Sequence, residues 1–145
     1  NVKEVIIIKG NHDPIIKPIA KKRNVKVVKE FRIEDIHIVH GDEIVETDAN
    51  IIIIGHEHTA IIIKEGSKFE KFKCFLKGKW KNQSKGKKKV HELIVVPSFN
   101  PLIEGTDVLS GNLLSPFLKE INNFEVFVVG EEKVYEFGKL KNLAR

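Results

Sequence analysis

Four consecutive isoleucines at 51–54, followed at once by Gly55, His56, Glu57 and His58, constrain this chain more than any other stretch. An unbroken β-branched run of that length is material for a buried strand. A glycine directly after it lets the backbone turn sharply, and histidines at i and i+2 then converge on one point. Two further strand ends carry the same kind of chemistry. Val5–Lys9 runs into Gly10-Asn11-His12-Asp13, and His37–Val39 runs into His40-Gly41-Asp42. Side by side and parallel in one sheet, three such strands gather their carboxyl ends in one crevice, where open α/β sheets place their sites. That arrangement brings Asn11, His12, His40, His56 and His58 together.

The rest of the chain alternates short β-branched runs with loops. Further strands are expected at Val25–Val28, Ala60–Ile63, Phe69–Leu76, His91–Val96, Phe124–Val129 and Val134–Phe137. Helical turns are expected at Ile15–Arg23 and at Pro116–Asn122, the latter with Ser115 as N-cap and Pro116 in the first position. At 145 residues the chain is one domain, large enough to bury a core without a disulfide or structural metal. Cys74 is the only cysteine, so no internal disulfide is available, and a cytoplasmic setting is expected. No apolar run approaches the roughly 20 residues of a membrane helix, so no membrane partner is expected. Lysine makes up 22 of the 25 basic residues and glutamate 15 of the 20 acidic ones, a bias shared with hyperthermophile proteins. The sequence contains no methionine and starts close to an apolar strand, which suggests a piece of a longer gene product.

The residues gathered at the strand ends suit a metal ion. Neutral imidazoles and an amide oxygen are ligands for Mn, Fe, Zn or Ni, while the shortage of cysteine argues against a thiolate zinc site. Three histidines and an asparagine bring no negative charge, however, and two divalent ions would call for carboxylates.

GNHD, then a lone histidine after a strand, then GHxH, in that order, resembles the calcineurin-like metallophosphoesterase superfamily. That family's full pattern is Asp-x-His, Gly-Asp, Gly-Asn-His-Asp/Glu, His, Gly-His-x-His. The stretches "GHEHTAIII", "KCFLKGKW", "VVPSFNPLIEGTDVL", "LLSPFL" and "FGKL" are further similar to an archaeal branch related to ligase-associated phosphoesterases and repair nucleases. The resemblance covers nearly the whole chain and implies an α/β fold of the metallophosphoesterase αββα sandwich type, with two mixed sheets flanked by helices. It implies two divalent metal ions, Mn foremost, and hydrolysis of a phosphate ester, more specifically a phosphodiester, by a metal-activated hydroxide. Carried over by position, Asn11, His40 and His56 ligate one metal and His58 the other. His12 serves the leaving oxygen, with Asp13 orienting its ring.

The resemblance is incomplete at one point. Asp-x-His and Gly-Asp belong on two strands upstream of GNHD, and only nine residues precede Gly10. "DIH" at 35–37 and "GD" at 41–42 fit those spellings but follow GNHD and stand too close together. Asp35 and His37 read instead as alternating positions of a half-exposed strand. Without the two upstream strands a sheet edge is left exposed, to be covered by a missing N-terminal segment or by self-association. Asp42 and Glu43 suit the start of a short helix better than a metal. His91 reads as a surface or satisfied core histidine, and Cys74 as a small packing residue.

Residues 64–91 hold eleven lysines against Glu65 and Glu70, a local balance of +9 in a chain of net +5. Phe69–Leu76 and His91–Val96 are expected to pair as a hairpin with a long basic tip, the loop spanning 78–91. Trp80 with Lys85, Lys87, Lys88 and Lys89 is a candidate nucleic-acid surface, with the lysines tracking phosphates and the indole stacking on a base. A solvated surface loop explains the same residues equally well. The alternative to an enzyme is therefore a non-catalytic nucleic-acid-binding module with an incomplete metal site.

Overall fold

The computed structural model describes residues 2–82 and 89–143. It is an α/β molecule built mostly of strands in mixed sheets. A two-stranded parallel sheet joins β1 (Ile6–Ile8) to β2 (Lys26–Val28), with the helix α1 (Ile16–Lys22) crossing between them. The main sheet contains β3 (Glu30–Ile33), β4 (Ile36–Val39), β5 (Ile51–Ile54), β6 (Thr59–Glu65), β7 (Lys68–Lys81), β8 (Val90–Val95), β9 (Thr106–Asp107), β10 (Glu125–Val129) and β11 (Val134–Lys139). Its order is β11-β10-β7-β8-β5-β4-β3, and β6 pairs with both β7 and β9.

Strands β4, β5 and β8 run parallel, Ile38 opposite Ile53 and Ile54 opposite Val95, so their carboxyl ends share one edge. The flanking pairs β3–β4 and β7–β8 are antiparallel. The long strand β7 serves two neighbourhoods. Its first half, Lys68–Lys73, pairs with β6, and its second half pairs with β10 on one side and β8 on the other.

The isoleucine run resolves into two faces that its uniform composition hides. Ile52 and Ile54 are fully buried, while Ile51 and Ile53 are half-buried. They join Leu76, Leu93, Val95, Val126, Phe117 and Phe124 in the main core. Gly78 lets that core close over β7, since a Cβ there would stand 2.3 Å from the Phe124 ring. Cys74 is fully buried in the same core, as a packing residue should be. Burial pushes its thiol up to about 12, an effect that the Thr59 contact only partly offsets. At pH 8 its alkylation in the native protein should be on the order of a thousandfold slower than in urea, because the thiolate is the reactive form. Equal rates in a labelling time course would show that the β6–β7 region opens freely.

Several expectations need correction. The strand before GNHD does not join the strands before His40 and His56. It pairs with β2 in a sheet of its own, and β3, folded back on β4 through a tight turn with Glu34 at φ 50°, occupies the edge beside β4. The helical turn at Pro116–Asn122 is a 3-10 turn at Pro116–Leu118, and the Ser115 side chain does not cap it. No helix follows Asp42 and Glu43. His37 is not half-exposed: the period of β4 turns it inward with Val39, and its Nε2 meets Glu30 Oε2 at 3.0 Å. Asp35 lies in the turn before β4, where its carboxylate accepts the Asn50 backbone N–H at 2.8 Å. Among the described residues α1 is the only α-helix, and no helix is long and apolar enough to cross a membrane.

Candidate metal centre

The GNHD turn follows β1, whose pairing with β2 is prolonged by the Lys9 N–H to Val28 carbonyl bond at 2.9 Å. Asp13 closes the turn by accepting the Gly10 N–H at 3.0 Å. That oxygen, Oδ2, therefore sits at the base of the loop. Gly10 is buried against the imidazole of His40, and a Cβ there would stand 2.7 Å from Cε1 and 2.8 Å from Nε2. His40 and the GNHD turn therefore meet despite lying on different sheets.

The loops after β4 and β5 are joined through the backbone. The N–H groups of Gly55 and His56 both donate to the His40 carbonyl, at 3.0 and 2.9 Å. This convergence, not a left-handed glycine at 55, turns the chain. The residue with positive φ in GHEH is His58 itself, at 52°. That conformation is costly for a residue with a side chain and tends to persist where the surroundings impose it. Here the surroundings are explicit: the His58 carbonyl accepts the Thr106 N–H at 3.0 Å, and Gly105 lies so close that a Cβ would fall 2.2 Å from that oxygen.

Three potential donor atoms meet where these turns converge. His40 Nε2 lies 3.2 Å from Asn11 Oδ1 and 3.0 Å from His56 Nδ1, with the two rings edge to face and their centroids 4.9 Å apart. One proton on Nε2 cannot point at both neighbours, so the contact is not a fully satisfied hydrogen-bond network. Lone pairs directed at a common cation remove that conflict. Ligands about 2.1 Å from a shared ion stand about 3.0 Å apart when they are at right angles, which is the spacing seen here. His40 also titrates below the ordinary imidazole range, chiefly through burial and next through the neighbouring His56, with Asp42 and Asp13 pulling the other way. The shift favours the neutral ring, the form a ligand requires.

His12 and His58 are exposed, and neither they nor His56 line the open cleft beside Asn11 and His40. That cleft, of about 430 Å³, is lined by Lys9, Gly10, Asn11, Glu30, His40 and Asp42 among others. A larger cleft of about 620 Å³ between the N-terminal stretch, α1 and β2 contains no histidine and lies apart from this chemistry. Among the described residues no three His, Cys, Asp or Glu side chains are grouped to hold a metal ion, so of the expected ligands the structure joins Asn11, His40 and His56 and does not add His58 to them.

Glu57 escaped the reading of the sequence. It occupies the variable position of GHxH but is 2% exposed, and its Oε2 accepts the N–H groups of Leu114 and Ser115 at 2.8 and 2.9 Å. A charged residue between two histidines looks solvent-facing in sequence, and only its partners 57 and 58 positions away reveal otherwise.

The expected hairpin is present, β7 and β8 pairing from Leu76 opposite Val95 to Lys81 opposite Val90, so the span 78–91 is strand at both ends. Lys85, Lys87 and Lys88 lie outside the described residues. Lys89 extends its ammonium to the Asp48 carbonyl. Trp80 is half-buried, packed on Phe117 at 4.8 Å and on His91 at 5.6 Å, so the indole already serves the core. His91 is buried and its Nδ1 donates to the Ala49 carbonyl at 2.6 Å.

Comparison with protein-family models, with curated proteins and with solved structures gives no match to this chain.

Proposed function

We propose that this chain carries the histidine half of a two-metal phosphoesterase site, in the metallophosphoesterase sandwich that its motifs resemble. The observation that carries the reading is the meeting of Asn11 Oδ1, His40 Nε2 and His56 Nδ1 within 3.0–3.2 Å contacts, from three separate strand ends and in motif order. Asn11, His40 and His56 would hold one ion, and His58 the second. Divalent ions of the Mn, Fe, Ni or Zn type supply acidity for an attacking water and positive charge for the phosphoryl oxygens. His12, exposed beside Asn11, is free to deliver a proton to the leaving oxygen. The lowered pKa of His40, caused chiefly by burial, favours the neutral ring that a ligand needs.

The substrate is a phosphate ester, and the basic balance of residues 64–91 favours a diester with an extended anionic backbone. Full activity then requires the carboxylates that the resemblance places on strands upstream of GNHD. Among the described residues only two histidines and an asparagine meet, with no third His, Cys, Asp or Glu grouped beside them, which favours a second reading, a nucleic-acid-binding module whose metal site is incomplete. Hydrolysis of bis-p-nitrophenyl phosphate separates the two. The first reading expects Mn²⁺-dependent turnover that chelation removes and His58→Ala lowers. Salt-sensitive nucleic-acid binding without turnover in any of these metals would sink it in favour of the second.

A further inference from the structure

We infer that Glu57 is a positioning residue that holds the two histidine loops in register through Ser115, an inference that rests on the metal reading of the cleft. The links are continuous. Glu57 Oε2 accepts from the backbone of Leu114 and Ser115 at 2.8 and 2.9 Å, and Ser115 Oγ donates to the carbonyl of Gly41 at 2.6 Å. Glu57 sits between His56 and His58, and Gly41 follows His40. A strap from the far end of the chain therefore ties the GHEH turn to the turn after β4.

Gly41 takes its part only as glycine. Its φ is 105°, and a Cβ would fall 2.8 Å from the Cβ of Ile54, so the carbonyl that Ser115 reaches depends on the absence of a side chain. Ser115 is 2% exposed, so its hydroxyl bond is shielded from water.

The choice of side chain at 57 points the same way. Its second oxygen, Oε1, is buried with no partner among the described residues. Leaving a carboxylate oxygen unsatisfied inside the protein is unfavourable, and a residue needed only for packing would avoid it by being apolar. What the carboxylate offers instead is one oxygen able to accept two adjacent N–H groups at once. That fixes the strap, which through Ser115 and Gly41 braces the two loops already joined by the Gly55 and His56 N–H bonds to the His40 carbonyl. Outer partners of this kind, which set the orientation of metal ligands, typically change metal affinity 10- to 100-fold when removed.

The test compares wild type with Glu57→Ala, Glu57→Gln and Ser115→Ala. The readouts are histidine-ring NMR signals of the metal-free protein and Mn²⁺ affinity by titration calorimetry. Glu57→Ala and Ser115→Ala should both move the His40 and His56 ring signals and weaken Mn²⁺ binding on the order of 10- to 100-fold. Glu57→Gln, whose carbonyl oxygen still accepts both N–H groups, should restore affinity close to wild type. A merely structural role would lower the melting temperature and leave ring signals and affinity alone, which would overturn the inference, as would failure of the glutamine to rescue. If Glu57→Ala does not fold, Ser115→Ala, lacking one hydroxyl, carries the comparison. If wild type binds no Mn²⁺ at all, the metal reading falls. The ring signals then decide on Glu57 separately: moved signals support the positioning role, and unmoved ones end it.

Discussion

His40→Ala is expected to abolish Mn²⁺ binding at the cleft while leaving the fold intact. The ring is the meeting point of the candidate centre: its Nε2 touches both Asn11 and His56, and its Cε1 and Nε2 atoms occupy the space beside Gly10. The backbone carbonyl that receives Gly55 and His56 is untouched by the substitution, so the turn between β5 and β6 keeps its hydrogen bonds. Loss is therefore confined to the imidazole. Charge stabilisation by a metal is worth several kcal/mol in the transition state. Its loss lowers phosphodiester turnover, where present, on the order of 10³-fold. Calorimetry and Mn²⁺ electron paramagnetic resonance read the binding directly. His91→Ala is the matched control, removing a buried histidine on β8 that the site does not use, so it should cost stability without touching affinity. Proton competition has a defined sign as well. Because the His40 pKa is lowered, protons displace a bound ion only at a pH below that of an ordinary imidazole ligand. Unchanged Mn²⁺ affinity in His40→Ala would remove the centre from this cleft.

The main-sheet strands were legible because their residues are β-branched and bounded by turn residues, and the parallel β4–β5–β8 core follows the isoleucine and valine runs closely. The edge was not legible. Glu30–Ile33 carries two charges in four residues and looks like loop, yet it pairs with β4 because a tight turn at Glu34 returns the chain directly alongside. That pairing separates the GNHD strand from the others, so the site is assembled across two sheets. Contact at the site survives the separation because Gly10 lets the GNHD turn press on His40. The motif histidines were visible as types at strand ends, whereas Glu57 was not, since its role depends on partners more than fifty residues away. Trp80 illustrates the same limit from the other side: an indole within a lysine-rich segment resembles a stacking platform, and its packing on Phe117, set by strand alternation in β7, is visible only in the fold.

Gly10→Ala should damage the centre almost as selectively as removing a ligand. Gly10 does not need a positive φ, so alanine brings no backbone strain, and its whole effect falls on what the new methyl meets. It meets His40 Cε1 at 2.7 Å and Nε2 at 2.8 Å, with Asp13 Oδ2 at 3.0 Å. Such distances force a shift. The ring is half-buried and gives more readily than backbone, so His40 swings away from Asn11 and His56. Displacement of a reacting group by about 1 Å typically costs about 10²-fold in rate. Overpacking of this kind costs about 1–3 kcal/mol in a tight core, and less where one side faces a cleft. Gly55→Ala gives the contrast within the same site: its methyl would meet only Val96 Cγ2 at 3.4 Å, an ordinary contact, so binding and stability should change little. The pair of variants separates two views of the glycines in these motifs. If both weaken Mn²⁺ binding equally, the glycines serve turn flexibility in general. If Gly10→Ala alone does so, Gly10 is there because the ring of His40 occupies the space a side chain would need, and the three donors meet at one point only as long as it does.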